Sequence, residues 1–202
     1  MSHLQLEQAP IVVRPKIILA SGSPRRKELL ARLGWDFEIV IPDVDEDIIA
    51  PPAEMVLILS QRKACHVTAG LRAGIVLAAD TMVALGGELL GKPESEADAA
   101  RMLRLLSGRA HEVYTGVCLM DAVSGHMERR AECTKVWFRA LSEGEIADYI
   151  ATGEPMDKAG AYGIQGGASR FVERIEGSFE NVMGLPVEVL SGMYDSLTMG
   201  GQ

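Results

Sequence analysis

The stretch Ile75-Val76-Leu77-Ala78-Ala79-Asp80-Thr81-Met82-Val83-Ala84-Leu85 is apolar almost throughout and interrupted by a single charge. A run of this kind, without polar alternation, reads as a buried strand, and its sheet needs helices to cover it. Gly86-Gly87 then predicts a hairpin turn into Glu88-Leu89-Leu90. The covering helices are readable on either side. Ile17-Ile18-Leu19-Ala20 reads as a strand that turns into a helix capped by Ser23, opened by Pro24, faced by Leu29, Leu30 and Leu33 and ended by Gly34. A second helix is expected from about Ala53 to Thr68, after Pro51-Pro52. Ser95 caps a third, with Ala99, Met102, Leu103 and Leu106 at helical spacing and Gly108 as its stop. Strands are expected over about 111–120 and 126–140, joined by a turn at 121–125. Ser142 and Glu145 form a capping box before Ile146, Tyr149 and Ile150, with a stop near Gly153. Residues 153–167 read as a glycine-rich loop, followed by a strand over about 170–175 and a helix over about 186–197. The fold class predicted is α/β, a mixed sheet flanked by helices. Residues 1–15 are expected to form a loose N-terminal extension and residues 16–198 a single domain.

At 202 residues and 48% hydrophobic content, the chain can bury a sizeable core. Its net charge of −8 opposes binding to long nucleic acid or to an anionic membrane surface. Cys65, Cys118 and Cys133 show no paired spacing, and His3, His66, His111 and His126 are scattered. A zinc site or disulfide framework is therefore not expected, and a reducing compartment fits better. The first fifteen residues lack the apolar core of a signal peptide, and no run approaches the ~18 apolar residues of a membrane span. The expectation is a soluble, cytoplasmic protein.

Several charges stand where a plain fold would not place them. Arg25, Arg26 and Lys27 open the first helix, where cations cost roughly 0.3–1 kcal/mol each against the helix dipole. An anion held by the backbone of Ser21 to Arg26 and by the guanidinium forks would remove that cost; the plainer reading is an exposed basic helix face. Asp80 interrupts a buried strand and could bind a hard cation or serve as a base; otherwise it caps a strand end. Alternation sends Asp80 and Thr81 to opposite faces, so both line one pocket only if the strand ends or bulges there. Lys63 lies in the stripe of Val56, Leu59, Ser60 and Val67, where it either snorkels or meets an anion. Gly86 to Pro93 imitates a phosphate-binding loop, but Pro93 stands where a hydroxyl is needed and the glycines fall in a hairpin. That motif is rejected, and Lys92 is kept as a possible phosphate contact. Glu46 sits in the acidic loop Pro42 to Asp47, and Gln165 among glycines, where its amide offers a donor and an acceptor to a base edge or simply faces water.

Together these stretches resemble the Maf family of nucleoside triphosphate pyrophosphatases. The resemblance runs through Leu19 to Arg26 with Glu28-Leu29-Leu30, then Val44-Asp45-Glu46, Lys63-Ala64, Ala79-Asp80-Thr81, Gly91-Lys92-Pro93, Leu106-Ser107-Gly108, Gly153 to Gly166 and Gly184-Leu185-Pro186. It covers about Leu19 to Leu190. It implies a long, twisted mixed sheet with a cleft between two lobes, and hydrolysis between the α and β phosphates with a divalent metal, Mg²⁺ or Mn²⁺. Pro24-Arg25, Asp80-Thr81 and Ile164-Gln165-Gly166 resemble the branch acting on dTTP and UTP rather than the branch acting on 7-methyl-GTP. The resemblance implies that Arg25, Thr81 and Gln165 select the substrate and that Asp80 accepts the proton. Ser21 and Arg26 join the substrate-binding set, Lys63, Lys92 and Glu46 join Asp80 in the catalytic set, and Asp80 and Glu46 are the expected metal ligands. A homodimer is a further family-level expectation. The family was also named for inhibiting septum formation, so a nucleotide-binding regulator of cell division with little turnover is one alternative, and the 7-methyl-GTP branch of the same family is the other.

Overall fold

The computed structural model describes residues 16–199. The extension expected over 1–15 lies outside the described residues. Seven strands form one mixed sheet: β1 (Ile17–Ala20), β2 (Phe37–Ile39), β3 (Ile75–Leu85), β4 (Glu88–Leu90), β5 (Ala110–Asp121), β6 (Met127–Phe138) and β7 (Val172–Glu176). Their order is β2-β1-β3-β5-β6-β7, with β4 paired to β3. β1 runs parallel to both β2 and β3, and every other pairing is antiparallel. The helices are α1 (Pro24–Arg32), α2 (Pro52–Thr68), α3 (Glu96–Leu106), α4 (Glu143–Ala151), α5 (Phe179–Met183) and α6 (Val187–Met199).

The strand run at 75–85 is buried along nearly its whole length and has a core on each side. Val76 and Ala78 join Ile18, Ala20, Ala64, Val67 and Cys118 beneath α2. Ile75, Leu77 and Ala79 face the larger core, where Leu29 and Leu30 of α1, Leu103 of α3, Tyr149 of α4 and Leu190 of α6 converge. The capping box at Ser142 and Glu145 is present as expected. Gly86 and Gly87 both adopt positive φ, +58° and +93°, the conformation a tight two-residue hairpin requires. They sit between two paired strands, as the rejection of a phosphate-binding loop anticipates.

Two short elements carry no sequence signal. β2 has three residues, all at least partly exposed, so neither an apolar run nor a clean alternation marks it. α5 has five residues and is started by the Ser178 side chain accepting from Asn181 N. The glycine-rich stretch is more ordered than a loop reading implies, forming 3-10 turns at Glu154–Asp157, Ala159–Ala161 and Gly167–Phe171. The last of these turns delays the start of β7 to Val172.

Gly116 determines how closely α2 approaches the sheet. A Cβ placed there would lie 2.2 Å from the Val56 carbonyl oxygen, so helix backbone rests directly on strand backbone. Gly116 is also the register partner of Asp80. Gly116→Ala is expected to lower the melting temperature by roughly 2–12 °C, the scale of about 1–3 kcal/mol of overpacking in a domain of this size. An unchanged melting temperature in scanning calorimetry would refute the contact.

Candidate active site

The cleft arises where strands are missing. β1 ends at Ala20 opposite Ala78, and β4 begins its pairing at Val83. Residues 79–82 of β3 therefore have no strand neighbour on that edge, while the other edge stays in register with β5 from Ile75↔Asp121 to Ala84↔Glu112. Asp80 on the α2 face and Thr81 on the opposite face both open into this window. The sequence condition that β3 must end or bulge is thus corrected: it does neither, and its neighbour stops instead.

The window leads into a cleft of about 620 Å³ lined by the Ser21 to Arg26 turn, Glu46, Lys63, Asp80, Thr81 and Lys92. Lys63 does not snorkel. Its Nζ lies 2.6 Å from Asp80 Oδ1 and 2.7 Å from Glu46 Oε1, so one ammonium gathers two carboxylates. The Lys63 and Asp80 side chains are 12% and 10% exposed, against 58% for Glu46, which places the first two at the cleft floor and Glu46 at its rim. Removing one member of so enclosed a pair leaves the other charge short of a partner, which is costly where water is scarce.

Arg26 is fixed from three sides. Its Nε donates to the Gly184 carbonyl at 2.8 Å, Nη1 to Ser21 Oγ at 3.2 Å and Nη2 to Thr81 Oγ1 at 3.0 Å. A guanidinium has five N–H donors, so two remain for a ligand. Burial draws its pKa below the ordinary value, Asp80 opposes that shift and Arg25 adds to it. The ordinary value is so high that the group stays charged. Arg25 and Arg26 therefore line the cleft, answering the unfavourable dipole with a built position, while Lys27 stays exposed.

Arg25 and Thr81 also line a smaller adjoining pocket of about 40 Å³, together with Lys158, Tyr162, Gly163 and Ile164. The wall of this pocket is braced from behind. Glu154 accepts from Tyr149 Oη and from Gly167 N, both at 3.0 Å, and Tyr149 Oη accepts from Gly163 N at 3.0 Å. Lys158 Nζ donates to the Glu154 carbonyl at 2.6 Å.

Ser21, Arg25, Arg26, Glu46, Lys63, Asp80, Thr81 and Lys92 are thus brought together along one cleft. Gln165 is not among them. It is exposed in the turn closed by Gly166 N donating to the Gly163 carbonyl, next to the pocket residues Gly163 and Ile164 but outside the lining of both cavities. His111 belongs to the core, with Nε2 2.8 Å from Tyr162 Oη, and burial pushes its pKa down to about 4, leaving a neutral ring at ordinary pH. The sequence singles out neither Thr115 nor Asn181, both fully buried behind Thr81. Gly116 inside a strand is the one nearby signal of a close approach.

Among the described residues no group of three or more His, Cys, Asp or Glu side chains is arranged to hold a metal. Asp80 and Glu46 supply only carboxylate oxygens. That donor set suits Mg²⁺ or Mn²⁺, because a small hard cation takes one or two carboxylates and completes its shell with water and substrate phosphate.

A mixed-sheet α/β fold whose main cleft sets Arg25, Arg26, Lys63 and Lys92 beside two carboxylates is the architecture of a protein that handles a compact anion. This chain belongs to the Maf-like protein family, whose profile matches residues 16–197. It is 52% identical over 173 residues to a dTTP/UTP pyrophosphatase of Carboxydothermus hydrogenoformans, covering 85% of this chain and 93% of that one. It is 50% identical over 180 residues to a dTTP/UTP pyrophosphatase of Pelotomaculum thermopropionicum, covering 88% and 94%. One of Bdellovibrio bacteriovorus is 44% identical over 192 residues, covering 90% and 98%.

Proposed function

We propose that this chain hydrolyses dTTP and UTP to the nucleoside monophosphate and pyrophosphate. The observation that carries this reading is the convergence, in one cleft, of the Arg26 guanidinium with the Lys63-held carboxylate of Asp80. Relatives at 44–52% identity that are named dTTP/UTP pyrophosphatase support it.

A triphosphate carries about four negative charges, and Arg25, Arg26 and Lys92 face it across the cleft. The two free N–H groups of Arg26 grip phosphate oxygens while its other three bonds keep the fork aimed. Asp80 takes a proton from water as the water oxygen bonds to the α phosphorus. The bond from that phosphorus to the bridging oxygen breaks, and pyrophosphate leaves with the electron pair. Lys63 holds Asp80 in place through its 2.6 Å contact, while Glu46 closes the rim. A bound Mg²⁺ or Mn²⁺, held by Asp80 and Glu46, would polarise the phosphates and neutralise developing charge. Thr81 and the braced wall at Gly163 and Ile164 bound the adjoining pocket in which the base is read, with Gln165 at its edge.

Residues 16–198 act as one domain in this reading, with a homodimer as the assembled form. Cys65, Cys118 and Cys133 are free thiols, which suits the cytoplasm. No helix among the described residues is long and apolar enough to cross a membrane.

The test is pyrophosphate release by the purified chain with Mg²⁺ from dTTP, UTP, CTP, GTP, 7-methyl-GTP and ATP. The expected result is release from dTTP and UTP well above the others. A preference for 7-methyl-GTP would overturn the substrate assignment. Tight nucleotide binding without release from any of them would overturn the hydrolytic one in favour of a regulator of cell division.

A further inference from the structure

Behind the cleft a closed ring of hydrogen bonds fixes the direction of one hydroxyl. Arg26 Nη2 donates to Thr81 Oγ1 at 3.0 Å, Thr81 Oγ1 lies 2.9 Å from Thr115 Oγ1, and Thr115 Oγ1 donates to the Asn181 carbonyl at 2.9 Å. Gly184 N donates to that same carbonyl at 2.9 Å, and the Gly184 carbonyl accepts from Arg26 Nε, which closes the ring. A hydroxyl has one hydrogen and a carbonyl has none. The Thr115 hydrogen is therefore committed to Asn181, and the shared contact between the two threonines must be supplied by the hydrogen of Thr81. Thr81 turns only lone pairs elsewhere, one of them to Arg26. Nothing in this arrangement is free to swing, because Thr115 and Asn181 are fully buried and the Asn181 amide donates to the Val113 carbonyl at 2.9 Å and to Thr134 Oγ1 at 3.0 Å.

Thr81 lines both the main cleft and its adjoining pocket. We propose that Thr115 is a positioning residue that locks Thr81 as a hydrogen-bond acceptor, so that the site takes a pyrimidine bringing a ring N–H to it and disfavours one bringing a lone pair. Uracil and thymine carry a hydrogen on the ring nitrogen between their carbonyls; cytosine has a lone pair at the same nitrogen. A lone pair facing a lone pair leaves both unpaired in an enclosed site, which costs more than an absent contact. The inference rests on the nucleotide reading of the cleft.

The test compares Thr115→Val, which keeps the shape and removes the hydroxyl, with Thr115→Ser, which keeps the hydroxyl. In the valine variant the Thr81 hydrogen loses its acceptor and can turn into the cleft, while the Asn181 carbonyl keeps its bond from Gly184. The ratio of kcat/KM for UTP over CTP is expected to fall by about fivefold or more in Thr115→Val and to stay within about twofold of the parent in Thr115→Ser. Thr81→Val, which removes the acceptor itself, should lose the ratio as well and serves in place of Thr115→Val if that variant melts out. An unchanged ratio in the valine variants, or a serine variant that fails alongside them, would overturn the proposal. If the parent protein turns over neither nucleotide, the hydrolytic reading fails separately, and the same ratios taken from calorimetric affinities for UMP and CMP decide this proposal alone.

Discussion

Asp80→Asn is expected to lower kcat for UTP by about 10²–10⁴-fold, the range a positioned general base supplies, with little change in KM. The substitution preserves shape, and its amide oxygen can still accept from Lys63 Nζ, whose 2.6 Å bond the carboxylate makes in the parent protein. Glu46 stays paired with Lys63 at 2.7 Å, so the ammonium is not left alone at the cleft floor. A folded Asp80→Asn protein with near-normal turnover would remove Asp80 from the proton-accepting role.

Arg26→Met should reduce kcat/KM by about 10²–10³-fold, the usual scale for deleting one preorganised donor of charge stabilisation. The loss has two sources: the two N–H groups left for phosphate, and the three bonds that tie Ser21, Thr81 and Gly184 to one another. Arg26→Lys is not expected to restore activity, because an ammonium is a point donor and cannot reproduce a fork that spans three protein oxygens. Steady-state kinetics on both variants would check this, and full activity in the lysine variant would show that charge alone is needed there.

The elements that could be read from the sequence are those with strong local signals. The eleven-residue strand, the Gly86-Gly87 hairpin and the capped helices at Ser95 and Ser142 each state their own structure in adjacent residues. β2 and α5 could not be read because three half-exposed residues and a five-residue helix fall below any period. The site divides in the same way. Asp80 and Lys63 stand out because each is a charge among apolar neighbours, and Arg25 and Arg26 because they oppose a helix dipole. What joins them is long-range. The window that lets Asp80 and Thr81 share a cleft depends on where β1 stops and β4 starts, neither of which is a property of the β3 sequence. Thr115 lies in a strand and Asn181 in the five-residue helix α5, where neither stands out, and only the fold sets them behind Thr81. The amide of Gln165 marks it in the sequence, while its exposed turn leaves Gly163 and Ile164, not Gln165, in the pocket lining.

Hydrolysis of UTP in ¹⁸O-enriched water, followed by mass spectrometry of both products, tests the central claim most directly. Attack of water on the α phosphorus predicts one ¹⁸O atom in UMP and unlabelled pyrophosphate. Label in the pyrophosphate, or UDP and phosphate as the products, would contradict it.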